Sequence, residues 1–324
     1  MKIISIFVFS TAISLLVSSC SINRIATEKL SEALVSGENT TVFTGEEDIE
    51  LARDALPFTL KLYETMLQRD STNAELFLVT AKLFTLYAQA FVLMPAETFP
   101  PEREAEAKNA RKRAKRLMLR GREYALRAFT IAHPGAPLFT AKGAIDTVLA
   151  KTTQADTARL YWVAASWLGA AAADRGDLGL AMSVRKPIAM LGRVCELSDG
   201  YDRGAAHELL AVVAATAPKA IGGGKAVARE NFDKAVMFSD GKKLSPYVSF
   251  AATMCGGKGK REEYEQLLRK ALTIDIDSER SLRLQNTIYR ERARYLLDTI
   301  DICFPPPSVP AEAPEIESGE ATPE

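Results

Sequence analysis

Apolar residues recur at steps of three and four along most of the chain, which is the period of an amphipathic α-helix. The stretch 204–251 shows the pattern well. An alanine-rich apolar run ends at Pro218, three glycines follow at 222–224, and a second amphipathic run extends from Lys225 to Phe238. Because proline cannot continue a helix and glycine weakens one, this stretch predicts two helices joined by an irregular connector.

The second of these helices carries a seam of small and aromatic residues that recurs elsewhere in the chain. Small residues beside a larger one allow a neighbouring helix to approach closely, and a helix-pair repeat of about 34 residues is the tetratricopeptide period. The fold class predicted is therefore all-α, with stacked helical hairpins that form an α-solenoid of cryptic tetratricopeptide-like repeats. The seam residues are Ala228, Phe232 and Ala235, with counterparts at Tyr264, Leu268 and Ala271, and at Gly121, Ala125 and Ala128.

Two earlier stretches also predict helices. Acidic residues at 46–48 mark a helix start, and Pro57 is expected to kink or restart that helix. Residues 76–94 are strongly apolar and near membrane-spanning length, but Lys82 and Gln89 interrupt the run. A buried core helix is favoured over a membrane span.

Residues 102–131 predict one long helix with a continuous seam of small residues. Its other faces are rich in arginine and lysine. Such a face could meet anionic lipid or a nucleic acid, but nearby glutamates favour a solvated face. The whole chain has 41 basic and 41 acidic residues, so its net charge does not attract nucleic acid, and none is predicted as a partner.

The N-terminus has the composition of a secretory signal, with one lysine, an apolar run and small residues before Cys20. Residues 17–20 also fit a bacterial lipobox, in which Cys20 is lipidated; the alternative is an ordinary signal peptide with an incidental cysteine. The predicted organisation follows: signal peptide at 1–19, lipidated tether at 20–45, helical-repeat domain at 46–303, and a disordered tail rich in proline and glutamate at 304–324.

The other cysteines, Cys195, Cys255 and Cys303, form an odd and widely spaced set. This pattern does not indicate a disulfide framework. Cys195 and Cys255 lie in helical context and are expected to be buried small hydrophobes.

No motif indicates catalysis. The glycines at 222–224 and Lys225 lack the other residues of a phosphate-binding loop. The two histidines, His133 and His207, have no partner at the spacing of a zinc-hydrolase helix, and no nucleophile elbow occurs. The chain is predicted not to be an enzyme and to have no metal or cofactor site.

At this point the residues resemble a known family, the T component (TatT) of tripartite ATP-independent periplasmic (TRAP) transporters. The resemblance covers about residues 20–304 and depends on the order and spacing of its features. These are Cys20 of the lipobox, the segment ARDALPFTLKLYETML with Asn73, the apolar helix through Tyr87, Tyr161 and Trp162 with Trp167, Gly204 and His207, Pro218 with the glycine cluster, and the stretch from Ala228 to Ala251.

The resemblance implies an all-helical periplasmic lipoprotein that forms a homotrimer and partners the substrate-binding P component of the transporter. It also implies a hydrophobic channel that passes an apolar or carboxylate ligand towards that partner. The alternative is a repeat scaffold for protein–protein interaction in the cell envelope, without ligand transfer.

Two groups of residues are the candidates for contact with a ligand or partner. Tyr87, Phe91, Tyr161 and Trp162 are predicted as an apolar lining; the alternative is that these aromatics simply fill a core. Gly222, Gly223 and Gly224 are predicted to form a mobile loop near the ligand or partner, and the alternative is a long turn.

Overall fold

The computed structural model describes residues 40–135 and 144–305. The predicted signal peptide, Cys20, most of the tether and the tail from residue 306 lie outside the described residues.

Every regular element in the described residues is helical, which confirms the all-α prediction. The α-helices are joined by short turns, several of which are 3₁₀ turns. They are α1 (Thr40–Thr44), α2 (Ile49–Arg69), α3 (Ala74–Ala88), α4 (Met94–Ala96), α5 (Glu104–Ala132), α6 (Ala144–Leu149), α7 (Thr157–Ala173), α8 (Leu178–Ser183), α9 (Arg185–Leu197), α10 (Tyr201–Thr216), α11 (Lys225–Phe238), α12 (Ser245–Ala252), α13 (Arg261–Leu272), α14 (Arg283–Asp298) and α15 (Ile300–Cys303).

The first helices begin where the polar residues predict. Asp48 caps α2, with its side chain accepting hydrogen bonds from the backbone N–H groups of Glu50 and Leu51. Asn73 caps α3 in the same manner through the N–H of Leu76. Each cap satisfies donors that the helix itself leaves unpaired, and this sets where the helix starts.

Pro57 lies inside α2, and the helix does not restart there. Because Pro57 has no N–H, the helix lacks one hydrogen bond to the carbonyl of Arg53. Arg53 is on the exposed face of α2, where water can donate a hydrogen bond to that carbonyl. Leu56 and Leu60 on either side of the proline are buried in the core, and their packing keeps both halves of α2 in one helix.

Buried side chains form two cores that meet along α10. The first core takes residues from α2 to the beginning of α10 and ends at Ala206. The second begins at Ala211 in the same helix and continues through α14. α10 therefore joins the two halves of the solenoid.

The apolar run after Asn73 lies inside the first core. Among the described residues, Ala74–Ala96 is the one helical stretch long and apolar enough to cross a membrane, and 61% of that window is buried in the protein. Its middle is a π-helical turn, Gln89–Leu93, between α3 and α4. π-turns of this kind are often found at functional sites, and this one carries Phe91.

All nine residues of the predicted seams are buried, as the repeat interpretation requires. Gly121 on α5 shows how close the helices come: a Cβ at this position would lie 2.8 Å from Oγ1 of Thr85 and 3.1 Å from the carbonyl oxygen of Ala81 on α3. The seam residues of the other copies are 0–5% exposed. Small residues thus allow α3 and α5 to cross at short range.

Replacing Gly121 with alanine should lower the free energy of unfolding by about 1–3 kcal/mol, because the new methyl group has to displace part of α3. Gly192 on α9 is the matched control, since a Cβ there would meet no atom within 4 Å. Gly192→Ala should raise stability by about 0.5–1 kcal/mol through helix propensity. Urea denaturation measures the free energy of unfolding of both variants. A Gly121→Ala variant as stable as the wild type would contradict the close crossing of α3 and α5.

The last long helix returns to the beginning of the chain. α14 contacts α1 and α2, and Arg292 on α14 forms an ion pair of 2.6 Å with Glu97, which follows α4. Arg283 at the start of α14 is also 3.8 Å from Glu47. The second half of the solenoid therefore folds back against the first.

The basic face of α5 is paired with acidic groups of the chain. Lys115 contacts Asp174 at 2.9 Å and Asp177 at 2.5 Å, and this pairing lowers the pKa of both carboxyl groups. Arg120 pairs with Glu64, whose side chain is only 9% exposed. These contacts fit the balanced face favoured from the sequence.

The cysteine predictions are wrong on pairing and on burial, and Cys195 on α9 is half-buried where a buried residue was expected. Cys255 and Cys303 form a disulfide across a sequence separation of 48, with Cα atoms 4.8 Å apart. Cys255 is exposed in the loop after α12, and it is not a buried helical residue. The chain returns through α13 and α14 before it reaches α15, so the pairing depends on tertiary packing that cysteine spacing does not reveal.

Candidate functional site

A group of aromatic and acidic side chains lies where the two cores meet. We name it the interior cluster: Tyr161 and Trp162 on α7, Tyr201 and Glu208 on α10, and Tyr289 on α14. The ring of Tyr161 is 5.0 Å from that of Trp162 and 5.2 Å from that of Tyr201, between centroids. Helices from both halves of the chain thus converge on one place.

The cluster is largely buried. Tyr161 and Trp162 are buried, whereas Tyr201, Glu208 and Tyr289 keep part of their surface accessible. Burial, followed by the charge of Glu208, raises the pKa of Tyr289 to about 12. Burial and the charges of Asp202 and Glu208 hold the pKa of Tyr161 well above its usual value. Since Glu208 acts on both tyrosines, its carboxylate lies between the two cores.

A buried ion pair adjoins the cluster. Nζ of Lys243 lies 3.3 Å from Oε2 of Glu208, with side chains 5% and 13% exposed. The hydroxyl of Ser245 donates to the same carboxylate oxygen at 2.9 Å, and Gln285 donates to Ser245 at 3.3 Å. The carboxylate is therefore held by charge and by hydrogen bonds in a place that largely excludes water.

The backbone just before Glu208 is unusual. Asp202, Arg203 and Gly204 are all left-handed, with φ of 44°, 56° and 79°. Left-handed conformations cost non-glycine residues free energy, and such strain tends to collect at functional sites. This turn directs the chain from α9 into the part of α10 that carries the cluster.

Tyr87 and Phe91, the other two residues predicted as lining, form a separate pair. Their ring centroids are 5.8 Å apart. Tyr87 is buried and accepts a hydrogen bond from Arg113 at 3.3 Å, while Phe91 in the π-turn is half-buried. The structure thus places the four aromatics as two pairs, of which only Tyr161 and Trp162 belong to the interior cluster.

A polar surface pocket of about 370 Å³ opens between α2 and α5. Tyr124 at its wall donates to Glu64 at 2.5 Å. None of the four predicted aromatics lines it. The lining residues are Lys61, Glu64, Thr65, Leu67, Gln68, Arg120 and Tyr124.

Comparison with known proteins identifies the fold and its context. Residues 45–304 match the family described as TRAP transporter T-component. The chain belongs to the TRAP transporter T-component family. It is also similar to an uncharacterized protein of Treponema pallidum (strain Nichols), with 32% identity over 304 residues, which cover 89% of this chain and 94% of that protein.

Membership makes this T component an accessory part of a TRAP transporter, associated with the cell envelope. The family is a transporter accessory family and is not known as an enzyme family. The family match covers nearly all of the described residues, and the interior cluster lies within it.

The glycine loop of this T component is held by backbone hydrogen bonds. The N–H of Gly224 donates to the carbonyl of Ala214 at 2.8 Å, and that of Gly223 to Pro218 at 3.1 Å. A Cβ at Gly223 would lie only 1.8 Å from the carbonyl oxygen of Ala217. Gly222 is exposed with a φ of 94°, so the loop presents a tight turn to solvent.

Sequence reasoning missed two sets of residues in the T component. One is the buried pair of Lys243 and Glu208, which are far apart in the chain and lie on separate elements. The other surrounds His207, where Cys195 and Asp199 place donor atoms within 4.8 Å of one another. No spacing rule joins these residues, because helix crossing and not local period brings them together.

Proposed function

We propose that this protein is a non-catalytic, lipid-anchored periplasmic subunit of a TRAP-type uptake system, which binds the P component and passes it an apolar or carboxylate ligand. The observation that carries the proposal is the interior cluster, a largely buried group of aromatic side chains between the two halves of a T-component fold. Ligand sites of small molecules are commonly concave, aromatic and supplied with a few polar groups.

The chemistry of the cluster suits such a ligand. The rings of Tyr161, Trp162 and Tyr289 offer apolar contact. Tyr87 on α3 and Phe91 on the π-turn form a second aromatic pair, apart from the interior cluster. Native mass spectrometry with aliphatic carboxylates of increasing length tests binding, and absence of any bound ligand would count against transfer.

The proposed compartment rests on two features. Cys20 follows a signal-like apolar run, and Cys255 is joined to Cys303 by a disulfide. Disulfides persist in oxidising compartments such as the periplasm and are rare in the cytosol. Metabolic labelling with a fatty acid, lost in Cys20→Ala, tests the anchor.

Apolar surface for the proposed homotrimer is available on α2. Leu51 is 57% and Phe58 is 74% exposed, and they lie on one face two turns apart. We expect Phe58→Glu to convert a trimer into monomers, because an interface does not accept an unpaired buried charge. Light scattering measures the mass. Met182→Glu is the control, since Met182 on α8 is 84% exposed and should leave the trimer intact.

The glycine loop is the proposed contact for the P component. Its own glycines are needed for the turn, so the test uses the exposed lysines beside them, Lys219 and Lys225. The double variant Lys219→Glu and Lys225→Glu should weaken binding of a TRAP solute-binding protein by at least tenfold. Lys258→Glu, in an exposed loop after α12, should have no effect. Equal binding by both variants would place the contact elsewhere.

The deciding experiment is light scattering of the soluble form beginning at Ser21, alone and mixed with the solute-binding protein of the same system. A trimer that gains mass with this partner supports the transporter role. A monomer that ignores the partner favours the alternative, an envelope scaffold without ligand transfer.

A further inference from the structure

Three residues with potential ligand atoms surround one imidazole where α9, α10 and α11 meet. His207 lies on α10 and is 2% exposed. Its Nδ1 is 2.8 Å from Oδ1 of Asn231 and 3.9 Å from Sγ of Cys195, while its Nε2 is 2.8 Å from Oδ1 of Asp199. The interior cluster and the ion pair of Lys243 do not include these side chains.

Both nitrogens of this buried ring face acceptor atoms. The orientation of Asn231 follows from its own contact, because its Nδ2 donates to the carbonyl of Val227 at 2.9 Å and leaves Oδ1 towards His207. A neutral imidazole has one N–H and cannot donate to two acceptors. We therefore expect a cation between Nδ1 of His207, the amide oxygen of Asn231 and the thiol of Cys195. This cation is either a second proton on the imidazole or a metal ion.

We propose that Cys195 Sγ, His207 Nδ1 and Asn231 Oδ1 bind a divalent transition-metal ion, with Zn²⁺ the best match, and that Asp199 orients the imidazole. A sulfur and an imidazole nitrogen together favour zinc and similar metals over magnesium or calcium. The carboxylate of Asp199 on the opposite nitrogen is the arrangement that metal-binding histidines commonly have.

The spacing of the donors is compatible with this assignment. In tetrahedral zinc sites the metal lies about 2.3 Å from sulfur and about 2.0 Å from nitrogen, which separates these two donors by about 3.5 Å. The 3.9 Å between Cys195 and His207 is close to that value, and Asn231 needs to withdraw by about half an ångström. Cys195 and Asn231 are half-buried, so the metal can enter from solvent and a water can complete the coordination.

Metal binding at this site should release protons. A thiol binds a metal ion as the thiolate, so Cys195 has to lose its proton when the metal binds. Metal affinity should accordingly rise with pH.

Titration of the chelator-treated full chain in detergent with Co²⁺ and Zn²⁺ tests the proposal. With the disulfide intact, we expect one Co²⁺ per chain and a sulfur-to-metal charge-transfer absorption that Zn²⁺ displaces. Cys195→Ser should abolish this band, and Asp199→Asn should retain it with affinity reduced about 10- to 100-fold. His133→Gln, which alters the other histidine of the chain, should leave the titration unchanged.

Several results would overturn the site. One is a wild-type chain without the charge-transfer band. Another is a band that persists in Cys195→Ser, which would assign it to a different thiol. A third is a His207 ring that NMR shows to be doubly protonated at neutral pH in the presence of excess Zn²⁺, since a proton and not a metal would then occupy the position. Circular dichroism of the variants confirms that they remain folded.

Discussion

Replacing Glu208 with glutamine is expected to lower the free energy of unfolding by about 3–5 kcal/mol, because it leaves the ammonium of Lys243 buried without a countercharge. The two side chains are 3.3 Å apart and almost wholly withdrawn from water. Transfer of a charge from water into the protein interior costs free energy. When one partner of a buried ion pair is lost, no attraction between the two charges offsets this cost for the charge that remains. Urea denaturation followed by circular dichroism measures the change.

Two controls separate the lost charge from lost shape. The double variant Glu208→Gln with Lys243→Met should recover most of the stability, since it removes both charges and keeps similar volumes. Glu265→Gln breaks the pair with Arg269 on the exposed face of α13, whose side chains are 37% and 68% exposed, and should cost about 0.5 kcal/mol or less. Equal losses for Glu208→Gln and the double variant would show that the pair itself contributes little.

The same variant reports on the interior cluster. The charge of Glu208 contributes to the raised pKa of both Tyr161 and Tyr289. Its removal should therefore lower the pKa of Tyr289 from about 12, which absorbance of tyrosinate in an alkaline titration detects. An unchanged titration would place the carboxylate outside the cluster.

Removing the disulfide by replacing Cys255 and Cys303 with alanine should lower the free energy of unfolding by about 4 kcal/mol. This figure is the free energy that corresponds to the conformational entropy lost by the unfolded chain when a cross-link closes a loop of 48 residues. The bond ties α15 to the loop after α12, and Gly256 reinforces it with a backbone hydrogen bond of 3.0 Å to Cys303. Loss of the bond should also free α15 to detach before the rest of the chain unfolds.

Reduction provides the matched control for this prediction. Wild-type protein in a reducing agent should have the stability of the double alanine variant, and the variant itself should not respond to the reducing agent. A wild-type midpoint in urea that stays constant under reduction would contradict the prediction. Cys195, which is unpaired, remains in all of these samples.

Local patterns predicted the helices correctly because they depend on residues close in the chain. The apolar pattern places the helical stretch Ala74–Ala96, which begins with α3, and α5 within a few residues of their observed bounds. The small residues of the seams, such as Gly121, are buried as expected because a three- and four-residue step puts them on one face. Capping residues such as Asp48 act on N–H groups only two or three positions away.

The candidate site was predicted less completely. Tyr161 and Trp162 stand out in the sequence as aromatics among alanines, and they belong to the interior cluster. Tyr201 and Tyr289 give no such signal, because each becomes part of the cluster only through the tertiary packing that brings α10 and α14 near α7. The two pairs of predicted aromatics also looked equivalent in the sequence, although the structure separates them.

By itself, the sequence determined the helical fold, the repeat seams and the T-component family, since all of these follow from local period and from ordered motifs. Only the tertiary structure decided which distant residues meet: Cys255 with Cys303, Lys243 with Glu208, and His207 with its three neighbours. The physical reason is that these contacts depend on the angles and distances at which helices cross. These angles and distances are set by packing over the whole chain, and no periodic pattern in the sequence reports them.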